Sequence, residues 1–289
     1  MSDAVEPRPP EIESDPARMR ERVLAARRAG RRVGFVPTMG ALHAGHASLV
    51  ARAAAECDDV VVSIFVNPRQ FAPHEDLDRY PRTLPADRAL VGRCGARWVF
   101  APTAAAAYPA GHATSVVVGG AAEGFEGSVR PGHFSGVATV VCWLFNVVPA
   151  DVAYFGAKDW QQSVIVRRMV ADLAIPIAIE VCPTVREADG LAMSSRNAYL
   201  SPDERGRAIA LHDGLRAAER RWHAGAGIAD VEGAIRAALE ARGITVDYAA
   251  VVDPLSLGPP RPGVDAVALV AGRLGSTRLI DNLPLPARR

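Results

Sequence analysis

Residues 33–46, Val-Gly-Phe-Val-Pro-Thr-Met-Gly-Ala-Leu-His-Ala-Gly-His, limit the possible folds more than any other stretch of the chain. A β-branched and aromatic run stops at Pro37, passes two glycines and two histidines, and re-emerges as a helical pattern over residues 46–55. This order predicts a strand, a loop of phosphate size and a helix. A helix start leaves backbone N–H groups unpaired and carries a partial positive charge, so an anion is stabilised there with little reorganisation. Gly40 and Gly45 let the backbone approach a ligand, and His43 and His46 can each donate a ring N–H to phosphate oxygens. The alternative, two histidines that only cap a helix, fits a lone histidine better than a pair in a glycine-lined turn. The Gly-x-Gly-x-x-Gly dinucleotide fingerprint is absent.

The length of 289 residues suggests two domains, and 49% hydrophobic residues supply a substantial core. A net charge of +1 points to neither nucleic acid nor an anionic membrane. The group Arg27, Arg28, Arg31 and Arg32 reads as a solvated helix end. Cys57, Cys94, Cys142 and Cys182 show no Cys-x-x-Cys and no zinc spacing, which suits free thiols in a reducing compartment. The first residues are rich in Pro and Glu and read as a loose tail, not a signal peptide. The longest nearly apolar run, residues 137–150, is shorter than the roughly 18 to 20 residues of a membrane span. A cytoplasmic protein is expected. One compositional fact reaches further: Lys158 is the single lysine among 33 basic residues. An ammonium is a compact, mobile charge where a guanidinium is a planar fork, so a site that follows a phosphorus centre through a reaction can require lysine.

Taken in order, Asp15-Pro16 predicts the start of a helix with Met19, Val23 and Leu24 on its inner face, ending at Gly30. The run 60–66 reads as a buried strand that delivers Asn67 and Gln70 beside the first loop, as the carboxyl ends of parallel strands do. Thr83 is placed as the N-cap of a helix reaching residue 95, with Asp87 on it as an exposed charge or a water-mediated metal contact. Short strands are expected at 98–101 and 114–118, and the glycines between 119 and 131 predict a flexible surface segment. Val137, Val140, Val141, Leu144, Phe145 and Val148 form a helical stripe, and His133 stands just before it. The strand 152–155 ends in Gly156-Ala157-Lys158-Asp159-Trp160-Gln161-Gln162, so the lysine opens a helix much as the histidines do. After a helix to 173 and a strand at 177–181, a polar hinge over 183–197 carries Ser194, Ser195 and Arg196, a set suited to outer phosphates. Ser201 and Glu204 predict a capping box opening one long helix to Trp222. A helix at 230–241 and strands at 245–252, 266–271 and 277–279 complete a small α+β domain, with His212 and His223 as surface or core residues.

The His-x-Gly-His spacing after a strand resembles the HIGH-type nucleotidyltransferases. Five motifs together make the match specific: Pro-Thr-Met-Gly-Ala-Leu-His-Ala-Gly-His, Val-Asn-Pro-Arg-Gln-Phe, Arg-Pro-Gly-His-Phe, Lys-Asp-Trp-Gln-Gln and Arg-Glu-Ala-Asp-Gly-Leu-Ala-Met-Ser-Ser-Arg-Asn. Over residues 15–285 the chain resembles the pantoate:β-alanine ligase family. The resemblance implies an α/β fold, a Rossmann-like parallel sheet with helices on both faces, plus a smaller C-terminal α+β domain. It divides the chain into a loose tail (1–14), an ATP- and pantoate-binding domain (15–184) and a C-terminal lid (185–289).

It also implies ATP as substrate, Mg2+, pantoate and β-alanine as small-molecule partners, a pantoyl-adenylate intermediate and a cytoplasmic homodimer, with neither nucleic acid nor membrane as partner. The ATP-binding residues would be Met39, Gly40, Ala41, Leu42, His43, Ala44, Gly45, His46, Gly156, Ala157, Lys158, Asp159, Val185, Met193, Ser194, Ser195 and Arg196. His46, His43 and Lys158 would be catalytic, with His46 assisting departure of pyrophosphate. Gln70 and Gln162 would bind pantoate, and Asn67 and Tyr80 with Gln70 would border β-alanine. No metal ligand is assigned. The chain departs from the family at Ala157, at Trp143 or its neighbour and at Ser135, none of which removes a phosphate ligand. A nucleotidyltransferase that leaves the nucleotide on its product, or a non-catalytic ATP-binding module, are the competing readings.

Overall fold

A computed structural model describes residues 9–72 and 75–288. In chain order they form β1 (Glu11–Glu13), α1 (Pro16–Arg28), β2 (Val33–Thr38), α2 (Ala44–Glu56), β3 (Asp59–Ile64), α3 (Leu84–Arg93), β4 (Trp98–Phe100), α4 (Ala104–Ala107), α5 (Glu126–Val129) and α6 (His133–Val147). Then follow β5 (Val152–Gly156), α7 (Trp160–Asp172), β6 (Ala178–Cys182), α8 (Pro202–Ala208), α9 (Ala210–His223), α10 (Ile228–Glu240), β7 (Thr245–Val252), β8 (Ala266–Leu274) and β9 (Thr277–Leu285).

The chain divides into two compact units. The first comprises Met1–Val118, Arg130–Gly156 and Ile165–Cys182. Its six strands lie in the order β1-β4-β3-β2-β5-β6, and all pairings are parallel. β2, β3 and β5 are buried along nearly their whole length, which is why they read as continuous apolar runs and not as alternating ones. The order reverses between β2 and β5, so the crevice at their carboxyl ends is where a sheet of this kind receives a ligand. α1 starts where the Asp15 carboxylate accepts the Arg18 N–H, with Pro16 in the first turn, and buries Met19, Val23 and Ala26 at helical spacing. α6 buries the predicted stripe; each fully buried Val or Phe there contributes roughly 1.5–3 kcal/mol.

The second unit comprises Gly119–Val129, Ala157–Val164 and Pro183–Arg289. β7, β8 and β9 form an antiparallel sheet on which α9 and α10 pack, their buried Leu211, Leu215, Ile235 and Leu239 meeting Ala249, Val251 and Val270. A separate division at residue 184, as the hinge suggested, would miss two segments: 119–129 and 157–164 both belong to this unit.

Several expectations are corrected. Residues 1–8 of the expected tail lie outside the described residues, but Glu11–Glu13 is no tail; it pairs in register with Trp98–Phe100 as an edge strand. Residues 114–118 form no strand, and the Val116 N–H is taken by the Thr139 hydroxyl. The long helix from Ser201 is two helices, α8 and α9, broken at Ile209. The capping box itself forms, with the Ser201 and Glu204 side chains each accepting the other's backbone N–H. The segment 119–129 is firmly held. Glu126, buried, accepts two hydrogen bonds of 2.6 Å from Arg278 and one of 2.8 Å from the Tyr248 hydroxyl. Burial and the neighbouring carboxylate push the Tyr248 phenol far up, so that hydroxyl stays a donor.

Candidate active site

In the first unit the chain leaves β2 through a turn in which Gly40 (φ 83°) and Ala41 (φ 51°) are both left-handed. A glycine takes this conformation freely, but alanine does so at a cost, and the cost is met by hydrogen bonds. The Thr38 hydroxyl accepts the Gly40 N–H and donates to the Ser63 carbonyl at 2.6 Å. Asp87 accepts the Ala41 N–H at 3.1 Å on one carboxylate oxygen and the Leu42 N–H at 2.9 Å on the other, and also takes the Thr83 hydroxyl. It is 3% exposed. The expectation of an exposed or metal-facing Asp87 is therefore wrong: the carboxylate is spent on shaping the loop. Thr83 accordingly does not cap α3 with its side chain.

His43 is the N-cap of α2, its Nδ1 accepting the Gly45 N–H at 3.1 Å, while the Nδ1 of His46 accepts the His43 N–H at 3.4 Å. This reciprocal pair is a capping box built from histidines. With Nδ1 of each ring accepting a backbone N–H, the tautomer that matches this geometry carries its hydrogen on Nε2. The rings lie 4.2 Å apart, centroid to centroid. Both imidazoles thus sit at the start of a 13-residue helix, beside its backbone N–H groups and the positive end of its dipole.

Gln70, 9% exposed, is brought to the same loop, where its amide nitrogen contacts the Met39 sulfur at 2.9 Å. Its carbonyl oxygen accepts from the Asn67 amide at 3.0 Å. Asn67 is 1% exposed and also donates to the Gly136 carbonyl and accepts from the Tyr108 hydroxyl at 2.7 Å and the Arg69 N–H. Burial raises the Tyr108 phenol to about 12, so it remains protonated as that donor. A side chain at Gly136 would collide with the Arg69 carbonyl, which explains the glycine facing this turn. His133 meets the Gln70 carbonyl at 2.8 Å through Nδ1 and Arg130 at 3.0 Å through Nε2, and Arg130 grips Glu75 with two bonds of 2.6 Å. Burial opposes the charge on Glu75, but the Arg130 hydrogen bonds and charge outweigh it and hold the carboxyl below its ordinary value. Tyr80 is buried edge-to-face against Phe71 at 5.9 Å.

In the second unit, Ala157–Asp159 is a single 3-10 turn leading into α7. Lys158 keeps 20% of its side chain exposed and has Asp159 at 3.8 Å. Gln161 is buried and spent on the Ala121 and Gly124 carbonyls and the Glu126 N–H, whereas Gln162 beside it is half-buried. The hinge residues form a tight return: Arg186 pairs with Ala192, and the Met193 N–H reaches the Val185 carbonyl at 3.0 Å. Ser194 caps the 3-10 turn Ser195–Tyr199, accepting the Arg196 N–H. Met193, Ser194, Ser195 and Arg196 are all half-buried. Sequence reasoning missed Asp87 as a loop brace and the pair Asp281-Asn282 altogether. The one available signal was two polar residues interrupting the apolar alternation of β9.

Magnesium finds no prepared cage. Among the described residues no three His, Cys, Asp or Glu side chains cluster as metal ligands, and Asp87 already accepts three hydrogen bonds from the protein.

A parallel sheet of this order, with a histidine-capped helix start at its switch point, defines a Rossmann-like nucleotide-binding α/β protein. The comparisons specify which. The family model described as pantoate-beta-alanine ligase matches residues 11–284. Pantothenate synthetase 1 of Bradyrhizobium diazoefficiens is 49% identical over 275 residues, 93% of this chain and 96% of its own. The pantothenate synthetase of Cereibacter sphaeroides is 51% identical over 271 residues, 93% and 97% respectively. Among solved structures, pantothenate synthetase from Thermus thermophilus superposes with a TM-score of 0.89 at 48% identity, covering 94% of this chain and 98% of that one. The pantoate-beta-alanine ligase of Francisella tularensis, complexed with beta-gamma ATP and beta-alanine, gives 0.80 at 32% identity, over 95% and 97%. The chain belongs to the pantoate-beta-alanine ligase family.

Proposed function

We propose that this chain, an ATP-dependent ligase, condenses pantoate with β-alanine through a pantoyl-adenylate, releasing pyrophosphate and then AMP. The observation that supports the site assignment is the histidine capping box, which engages Nδ1 of both imidazoles and places the two rings at a helix N-terminus.

In the first step a pantoate carboxylate oxygen attacks the α-phosphorus of ATP, and the bond from that phosphorus to the β-bridging oxygen breaks. Two anions meet, so catalysis is mainly charge neutralisation and alignment. Met39, Gly40, Ala41, Leu42, His43, Ala44, Gly45 and His46 hold ATP with Gly156, Ala157, Lys158, Asp159, Val185, Met193, Ser194, Ser195 and Arg196. His46 steadies the departing pyrophosphate, and Lys158 follows the α-phosphate. Each donor aimed at developing charge is worth on the order of 3 kcal/mol. Gln70 and Gln162 bind pantoate. Asn67 and Tyr80 border the β-alanine position with Gln70, and the Asn67 amide also donates to the Gln70 side chain. In the second step the uncharged amine attacks the acyl carbon, AMP leaves, and the nitrogen loses a proton. No covalent enzyme nucleophile is needed, but water must be kept out, which is the task assigned to residues 185–289 as a lid. Mg2+ would arrive with ATP and screen its phosphate charge, and no side chain of this chain is assigned to hold it. A cytoplasmic homodimer completes the reading; among the described residues no helix is long and apolar enough to cross a membrane.

Exchange of labelled pyrophosphate into ATP tests the whole scheme. It should require pantoate, and AMP should form once β-alanine is added. Exchange independent of pantoate would favour a nucleotidyltransferase, and none at all a binding module.

A further inference from the structure

The turn carrying Lys158 is held by a residue far away in sequence. The Asn282 side-chain amide donates one hydrogen bond to the Ala157 carbonyl and one to the Lys158 carbonyl, each 2.8 Å. These two oxygens belong to the peptide groups on either side of the Lys158 Cα. Fixing both planes fixes φ and ψ of Lys158, and with them the direction in which its side chain departs.

Asn282 is itself braced. It lies in β9 opposite Leu269, is 3% exposed, and its N–H reaches an Asp281 carboxylate oxygen at 2.7 Å. Asp281 is gripped by Arg186 through two bonds of 2.6 and 3.0 Å, and the same guanidinium donates to the Asn282 carbonyl at 3.2 Å and the Gly190 carbonyl at 3.0 Å. Arg186 begins the return that ends at Met193 and Ser194. A buried ion pair with an amide attached is a poor way to gain stability, since apolar residues of similar volume often do as well. What such a group supplies is a unique geometry, because every donor and acceptor must be matched at once.

We infer that Asn282 is a positioning residue for the ligation reaction: it sets the backbone of Lys158, while Arg186 and Asp281 hold Asn282 and tie it to the serine-arginine return. The inference rests on the assignment of Lys158 to the α-phosphate, so the test separates the two.

Pantoate-dependent pyrophosphate exchange is measured for Asn282→Ala, Asn282→Ser, Lys158→Ala and the double variant Lys158→Ala/Asn282→Ala, with thermal midpoints alongside. Asn282→Ala should slow exchange roughly tenfold to a hundredfold, as misplacement by about an ångström does, with KM for ATP and pantoate nearly unchanged. Asn282→Ser, which retains one donor, should fall between it and wild type. Added to Lys158→Ala, the Asn282 change should cost nothing further, because residues acting as one unit are non-additive. Full-rate Asn282→Ala beside a slow Lys158→Ala overturns the positioning role alone, and so does a double variant that loses the product of both single effects. Full-rate Lys158→Ala overturns the phosphate assignment. If Asn282→Ala does not fold, the Asn282→Ser variant carries the same cycle.

Discussion

The two turns that supply the candidate phosphate donors are built in opposite ways. The histidine turn is capped locally: its helix start is capped by its own side chains at separations of two and three residues, with Asp87, Ser63 and Gln70 bracing the loop that leads into it. The lysine turn owes its brace to Asn282, 124 residues away from Lys158. Donors that must sit still for an anion can be arranged by local backbone chemistry. A mobile ammonium needs its base clamped, and a short 3-10 turn has too few internal hydrogen bonds to do so.

The largest effect that could break this comparison is at Lys158 itself. Lys158→Arg should lower kcat about a hundredfold while the protein stays folded, because the planar fork cannot take the place of a compact ammonium. Steady-state rates at saturating substrates, with circular dichroism as the folding control, decide it; a full-rate variant removes the reason for the single lysine. Next comes the brace of the other turn. Asp87→Ala leaves two loop N–H groups and the Thr83 hydroxyl without their acceptor, so it should lose about 2–3 kcal/mol in denaturant unfolding and slow exchange about tenfold. If activity survives with stability lost, the histidine turn is even more self-sufficient than described.

Smaller effects sharpen the second turn. Gly190 is left-handed at φ 99°, and a Cβ there would run into the His212 ring. Gly190→Ala should therefore lower stability by about 1–3 kcal/mol, read as a drop in thermal midpoint. His212 supplies a pH signature. Burial first, then the Arg186 charge, lowers its pKa from 6.5, with Asp281 and Asp213 opposing and Arg216 assisting. The unfolded chain thus binds the proton more readily than the folded one. Stability should be fully present above pH 6.5 and decline as pH falls from there through the lower folded value. His212→Gln should flatten that slope in midpoints measured across the range, the smallest of the four effects.

Much of this molecule could be read from sequence because its signals are local. The apolar runs of β2, β3 and β5, the Asp15-Pro16 start, the α6 stripe and the Ser201 box all follow from neighbours within a few residues, and so does the paired-histidine loop. Three residues of edge strand at Glu11–Glu13 carry too little pattern to be seen, and residues 114–118 have strand composition without a partner. The break at Ile209 lies within continuous right-handed backbone (φ −58°, ψ −22°), which leaves no Gly or Pro to announce it.

By itself the sequence determined the strand order's raw material, the family, and the residue types able to neutralise a triphosphate, since periodicity, capping and motif spacing act over short distances along the chain. Only the tertiary structure decided that Asp87 turns inward to shape the histidine loop, that the segment 119–129 is anchored by Glu126, and that Asn282 grips the Lys158 turn. A buried carboxylate or amide takes its role from whichever backbone groups folding brings within hydrogen-bond reach, and those groups lie tens to hundreds of residues away.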